Sequence, residues 1–79
     1  MYFVYVLKSE SSNRYYVGIS DNLDRRLKEH NNGKTKSTKC YRPWTLIHSE
    51  LLENRIIARE REKYLKSGCG REYIRKLAR

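Results

Sequence analysis

The stretch YFVYVLKSESSNRYYVGI, from Tyr2 to Ile19, holds two short runs of aromatic and β-branched residues, Tyr2-Phe3-Val4-Tyr5-Val6-Leu7 and Tyr15-Tyr16-Val17-Gly18-Ile19. Both have strand composition, and the polar Lys8-Ser9-Glu10-Ser11-Ser12-Asn13 between them has turn chemistry. The reading is an antiparallel hairpin whose loop is longer than the two-residue type. Gly18 falls inside the second strand, where glycine loses entropy and packing and marks a bulge or a close approach by another backbone or a ligand.

Working outward, Ser20-Asp21-Asn22 supplies helix-capping side chains, and Leu23 with Leu27 at i and i+4 predicts a short amphipathic helix over residues 21–31, closed by Asn31-Asn32-Gly33. From His30 to Ser49 the chain carries Lys34, Lys36, Lys39 and Arg42 and no acidic residue, a basic loop that passes through Pro43 into a third strand, Trp44-Thr45-Leu46-Ile47-His48. A helix follows over about residues 53–66, with Ile57, Ala58, Tyr64 and Leu65 as its apolar stripe and Gly68 and Gly70 as its stop. A last short helix covers about residues 71–77. The order β-β-α-β-α-α predicts an α/β domain of the α+β kind, a small three-stranded antiparallel sheet flanked by helices.

At 79 residues the chain is expected to form one domain over residues 1–79, with a thin core in which seven Tyr supplement the aliphatics. Its longest apolar run, Tyr2–Leu7, is far short of the roughly 20 residues that span a bilayer, and no basic leader or cleavage site frames it. A cytoplasmic, membrane-free protein is expected. Cys40 and Cys69 have neither metal-site spacing nor a secretion signal beside them and read as ordinary thiols. With 18 Lys plus Arg against 9 Asp plus Glu, the net charge of +9 points to a polyanionic partner, nucleic acid before membrane surface. Charge carried for solubility is the plainer reading of the same number.

On a wheel of 100° per residue, Arg26 and His30 flank the Leu23/Leu27 stripe of the first helix, and Arg25 points away. Arg26 then needs an anionic partner, either a structural carboxylate or a ligand, and His30 reads by itself as a satisfied structural histidine. On the next helix the stripe of Ile57, Ala58, Tyr64 and Leu65 leaves Glu60 and Glu62 equally spaced on its two sides, each about 100° away. Periodicity does not choose between them, and an ion pair such as Glu62 with Lys66 serves either as well. Tyr2, Tyr5, Tyr15 and Tyr16, taken singly, are strand core and edge residues.

Taken together, these pieces resemble the GIY-YIG nuclease family. Phe3-Val4-Tyr5 sits where the first family tripeptide falls and Tyr16-Val17-Gly18 matches the second, with the two tyrosines eleven residues apart. Gly18 through Asn31 resembles the family's run from the second glycine to its helical arginine and histidine, the arginine eight residues after the glycine, which selects Arg26. Ala58 through Lys66 resembles the segment in which a metal-binding glutamate follows an alanine by four and precedes a lysine by four, which selects Glu62. Phe3 replaces the first glycine, Val17 replaces isoleucine, and neither the late asparagine of the homing-endonuclease branch nor an accessory DNA-binding domain has a counterpart. The basic Lys-Ser-Thr-Lys loop and Arg42-Pro43-Trp44 resemble the compact single-domain branch.

The resemblance implies a metal-dependent DNA endonuclease that hydrolyses phosphodiesters, with branched or damaged DNA in repair or recombination as its suggested substrate. It gives Glu62 to a divalent cation, Mg²⁺ (or Mn²⁺), and Arg26 to the scissile phosphate. Tyr5, Tyr16 and His30 share the handling of the attacking water and its proton, with the general base among them left open. Gly18 lets the DNA backbone approach the sheet, and Lys34, Lys36, Lys39 and Arg42 grip it. The competing class is a non-catalytic nucleic-acid-binding module on the same fold, for which a carboxylate placed beside phosphate has no use.

Overall fold

The computed structural model of the protein describes residues 1–77. Strands β1 (Tyr2–Ser9) and β2 (Tyr15–Ser20) are followed by helix α1 (Leu23–Asn31) and a short 3-10 turn (Lys39–Tyr41). Strand β3 (Trp44–Leu52) and helices α2 (Arg55–Lys66) and α3 (Gly68–Leu77) complete the domain. The sheet is antiparallel in the order β2-β1-β3, so the hairpin strand β1 is its centre. The three strands and three helices fall in the order expected; residues 78 and 79 of the expected single domain lie outside the described residues.

Because successive side chains of a strand face opposite sides, the unbroken apolar run of β1 supplies two cores. Val4 and Val6 pack with Val17, Ala58, Leu65 and Ile74 beneath α2 and α3. Tyr5 and Leu7 pack with Trp44 on the other face, against Leu23 and Leu27 of α1. A register shift between Val6 and Leu7 sets them opposite His48 and Leu46, leaving Ile47 as the extra residue of β3. Leu46 therefore stays with the Tyr5 core while Ile47 joins the Val6 core.

Helix α1 starts two residues later than the capping signal suggested, because Asn22 is the residue whose side chain accepts the Arg25 N–H, at 3.1 Å. Asn54 does the same for α2, accepting from Ile57 N–H at 3.0 Å and shortening that helix from the expected start at 53. Two expectations are corrected more substantially. The third strand runs on past His48 to Leu52, since residues Tyr5 to Tyr2 of β1 continue to offer pairing partners. The final helix begins at Gly68 rather than near 71, and Gly70 does not act as a helix stop. It lies inside α3 where a Cβ would collide with the Tyr64 carbonyl and come within 2.5 Å of Leu65 Cα, so glycine lets α3 pack directly on the end of α2.

The apolar stripe of α2 is also different. Ala58 and Leu65 are fully buried, but Ile57 and Tyr64 are exposed, and the face turned to the sheet is Ala58, Arg61, Glu62 and Leu65. Recentred on Ala58 and Leu65, the wheel places Glu62 about 50° from the buried direction and Glu60 about 150° from it. Glu62 is accordingly half-buried and Glu60 exposed. Cys40 and Cys69 are exposed free thiols, and no helix among the described residues is long and apolar enough to cross a membrane.

Candidate active site

Tyr5 sits opposite Gly18 in the hairpin register, and Tyr16 opposite Leu7, so both phenols project from the α1 face of the sheet. A Cβ on Gly18 would lie 2.6 Å from the Tyr5 hydroxyl and 2.9 Å from Tyr16 Cε1. The space that glycine leaves is thus taken first by the Tyr5 phenol, which lies across the neighbouring strand. Sequence reading gave this gap to an approaching DNA backbone; its occupant within the fold is Tyr5.

Helix α1 brings His30 onto this pair. The imidazole is fully buried, with its ring centroid 4.7 Å from that of Tyr16, and Nε2 is 3.1 Å from the Tyr5 hydroxyl. Its Nδ1 is 2.8 Å from the hydroxyl of Thr38, which is buried as well and donates to the Thr35 carbonyl at 3.3 Å. With the Thr38 proton committed to Thr35, His30 Nδ1–H donates to Thr38 Oγ1, and Nε2 is left to accept from Tyr5 O–H. Burial, with the Arg26 charge adding to it, holds His30 below its ordinary pKa, so the neutral tautomer is the one the site favours. Burial likewise pushes Tyr5 above the usual phenol value; Arg26 opposes this, while Tyr16 and Glu62 add to it.

Arg26 lies against the Tyr5 phenol, and that neighbour is the first cause stabilising its charge further. It also donates to Glu29 Oε1 at 2.8 Å, the structural carboxylate that its half-buried position called for. Arg25, one residue earlier, is well exposed, as the wheel requires. Glu62 accepts from Lys66 Nζ at 3.0 Å, and its side chain is 16% exposed against 55% for the lysine. The carboxylate is therefore held at the rim of the core while its cation remains in solvent.

Two residues that sequence reading passed over build the site. Thr38 fixes the His30 tautomer, and Asn31 fixes Thr38's surroundings: its amide accepts from Trp44 N–H at 2.6 Å and donates to Trp44 C=O at 3.1 Å. The Trp44 indole N–H in turn donates to the Thr38 carbonyl at 3.0 Å. No spacing rule marks a threonine eight residues after a histidine; the link forms because β3 returns beside the end of α1. Lys34, Lys36, Lys39 and Arg42 are all exposed on the segment leading to and through the 3-10 turn, outside the Tyr5–His30 cluster, with Arg42 Nε donating to the Lys39 carbonyl at 3.0 Å.

Among the described residues no three His, Cys, Asp or Glu side chains converge to hold a metal ion. Glu62, half-buried at the rim of the core with Lys66, is the carboxylate that stands where the sequence resemblance expects a metal ligand. This fits Mg²⁺, which is content with one or two carboxylates and completes its shell with waters and substrate oxygens, and does not fit a protein-only cage.

Comparison with known proteins places the chain in a family. The GIY-YIG catalytic domain model matches residues 1–73. A UPF0213 protein of Clostridium perfringens is 40% identical over 67 residues, covering 84% of this chain and 71% of its own length. A UPF0213 protein of Listeria monocytogenes is 44% identical over 66 residues, 82% of this chain and 73% of that protein. The solution NMR structure of a UPF0213 protein from Bacillus halodurans superposes with a TM-score of 0.57 at 28% identity, covering 96% of this chain and 83% of that one. Matched by that family model over nearly its whole length, the chain belongs to the GIY-YIG catalytic domain family.

Proposed function

We propose that the protein is a metal-dependent DNA endonuclease. Family membership implies nuclease-type activity on a nucleic-acid substrate. The observation that supports activity in this chain is the buried Tyr5–His30 hydrogen bond with Arg26 against the same phenol, in a fold that also leaves Glu62 half-buried at the rim of the core. A module that only bound DNA would gain nothing from a carboxylate set among cations at the contact face.

Glu62 would hold Mg²⁺ or Mn²⁺, exchanging its bond to Lys66 for the ion. When bound, the cation supplies charge neutralisation at the phosphate and the leaving oxygen. Arg26 turns from Glu29 to clamp the scissile phosphate with its planar fork. Tyr5 has no exposed surface and Arg26 lies against its phenol, so movement of Arg26 toward phosphate would open a path to the hydroxyl. It then takes a proton from the attacking water while passing its own to His30 Nε2, so that a free phenolate is never required at neutral pH. Water oxygen forms the new bond to phosphorus and the bond to the leaving sugar oxygen breaks. Tyr16, half-buried at the mouth of the site, hydrogen-bonds the water or a phosphate oxygen. The exposed Lys34, Lys36, Lys39 and Arg42 hold the flanking backbone, and branched or damaged DNA in repair or recombination is the suggested substrate.

Incubating supercoiled plasmid with the protein and Mg²⁺, Mn²⁺ or chelator tests this reading. Nicked or linear product that requires the cation supports it; unchanged plasmid and branched DNA under every condition, with DNA still bound, would establish the non-catalytic module instead.

A further inference from the structure

Tyr16 and Thr38 also line a groove of about 610 Å³ along the outer edge of β2. Its floor is β2, one wall is the 3-10 turn, and the other is formed by the end of α2 and by α3. Arg14, Tyr15, Tyr41, Lys66, Arg71 and Arg75 line it, and none of its lining residues among those described is acidic.

The groove is a built feature. Ser9 Oγ, fully buried, donates to the Tyr41 carbonyl at 2.6 Å and accepts from the N–H groups of Ser11 and Ser12, tying the hairpin loop to the 3-10 turn. The Arg14 guanidinium then stacks over the Tyr41 ring at 4.4 Å. On the opposite wall, Lys66 is engaged with Glu62 and Arg75 with Glu72, whereas Arg71 has no carboxylate partner among the described residues. Tyr15 is 36% exposed and offers part of its ring to solvent.

A cationic channel that also presents aromatic rings suits unpaired nucleotides, whose free bases stack on any π face while their phosphates meet the cations. A duplex keeps its bases inside and cannot place them in a cleft of this size. We infer that the groove holds an unpaired DNA arm adjoining the candidate active site, Arg14 and Arg71 taking its phosphates and Tyr15 stacking on a base. The inference rests on the nuclease reading and narrows its substrate to DNA in which a single strand leaves the duplex near the cut. A space of this volume accommodates about one or two nucleotides.

Binding is measured in chelator by fluorescence anisotropy, comparing a labelled blunt duplex with the same duplex carrying a short single-stranded thymidine arm. The expected result is an affinity about tenfold higher for the armed duplex, the scale of one stacked base. Tyr15→Ala combined with Arg71→Gln should abolish that advantage and leave blunt-duplex binding within about twofold of the parent, since stacking and arm contacts alone are lost. Tyr15→Phe, which keeps the ring, should retain the advantage and shows that position 15 tolerates change. Equal affinity of the parent protein for the two DNAs would overturn the inference, as would a parallel loss on both in the double variant. Cleavage of DNA without arm preference sinks the groove and leaves the nuclease; arm preference in a protein that never cuts does the reverse.

Discussion

The Tyr5 hydroxyl and His30 Nε2 stand 3.1 Å apart in a pocket where both side chains are fully buried, although 25 residues separate them along the chain. One comes from the central strand and the other from the last turn of α1, so the bond reports the docking of helix on sheet. Its geometry depends on Thr38, which occupies the other ring nitrogen at 2.8 Å.

Thr38→Val keeps shape but removes the acceptor for a buried imidazole N–H. A loss of about 1–3 kcal/mol in stability is expected, and Thr38→Ser should restore most of it by restoring the hydroxyl. Urea unfolding of the three proteins measures this, and a valine variant as stable as the parent would contradict the assigned network.

The same imidazole sets an acid limit on the fold. His30 is held below its unfolded pKa of about 6.5, so between the folded and unfolded values the unfolded chain binds more protons and stability rises with pH. The contribution is complete above the unfolded value and is lost as pH falls to the folded one. Glu29, lowered chiefly by Arg26, and Glu50, held low by His48 and Arg61 against its burial, act in a separate window beneath 4.5. Thermal unfolding across about pH 7 to 5 should show a falling midpoint in the parent and a flatter profile in His30→Gln.

Arg26 and Arg25 differ in placement and not in charge. Arg26→Ala should lower the single-turnover cleavage rate about 10²–10³-fold, the usual consequence of deleting a group aimed at transition-state charge, whereas Arg25→Ala should change it only a few-fold. Rapid-quench measurements at saturating DNA compare them; equal defects in two folded variants would mean that positive charge alone matters.

The exposed lysines of the segment before β3 are assigned to backbone contacts. Replacing Lys34, Lys36 and Lys39 together with Gln should weaken binding across all sequences and reduce the slope of log affinity against log salt by roughly two to three. An unchanged slope would return these lysines to simple solvation, and an altered sequence preference would show that the segment reads bases.

How much of this was legible in the sequence follows from how local each feature is. The hairpin, three strands and three helices were readable because strand composition, turn chemistry and capping are encoded within a few residues, and so was the inward lean of Arg26 and His30. The choice of Glu62 was not readable from periodicity, because Ile57 and Tyr64 look like core and are exposed. Short α2 buries only Ala58 and Leu65 completely, and two residues do not define a stripe until the helix is docked. Gly70 looked like a stop because its purpose, contact with Tyr64 and Leu65, depends on a neighbouring helix. Thr38, Asn31 and the β2-edge groove depend on the return of β3 and on α3, and left no local signal.

The most direct measurement is plasmid cleavage in Mg²⁺ by the parent, Glu62→Gln and Glu60→Gln, with DNA affinity determined in parallel. Glu62 is half-buried at the rim of the core, while Glu60 is exposed on the far side of α2. Glu62→Gln should lose cleavage by about 10²-fold or more, as expected on losing a group that stabilises transition-state charge, with DNA affinity equal or tighter because a negative charge beside phosphate is gone. Glu60→Gln should cut like the parent. Near-parental cleavage by Glu62→Gln, or loss confined to Glu60→Gln, would contradict the account.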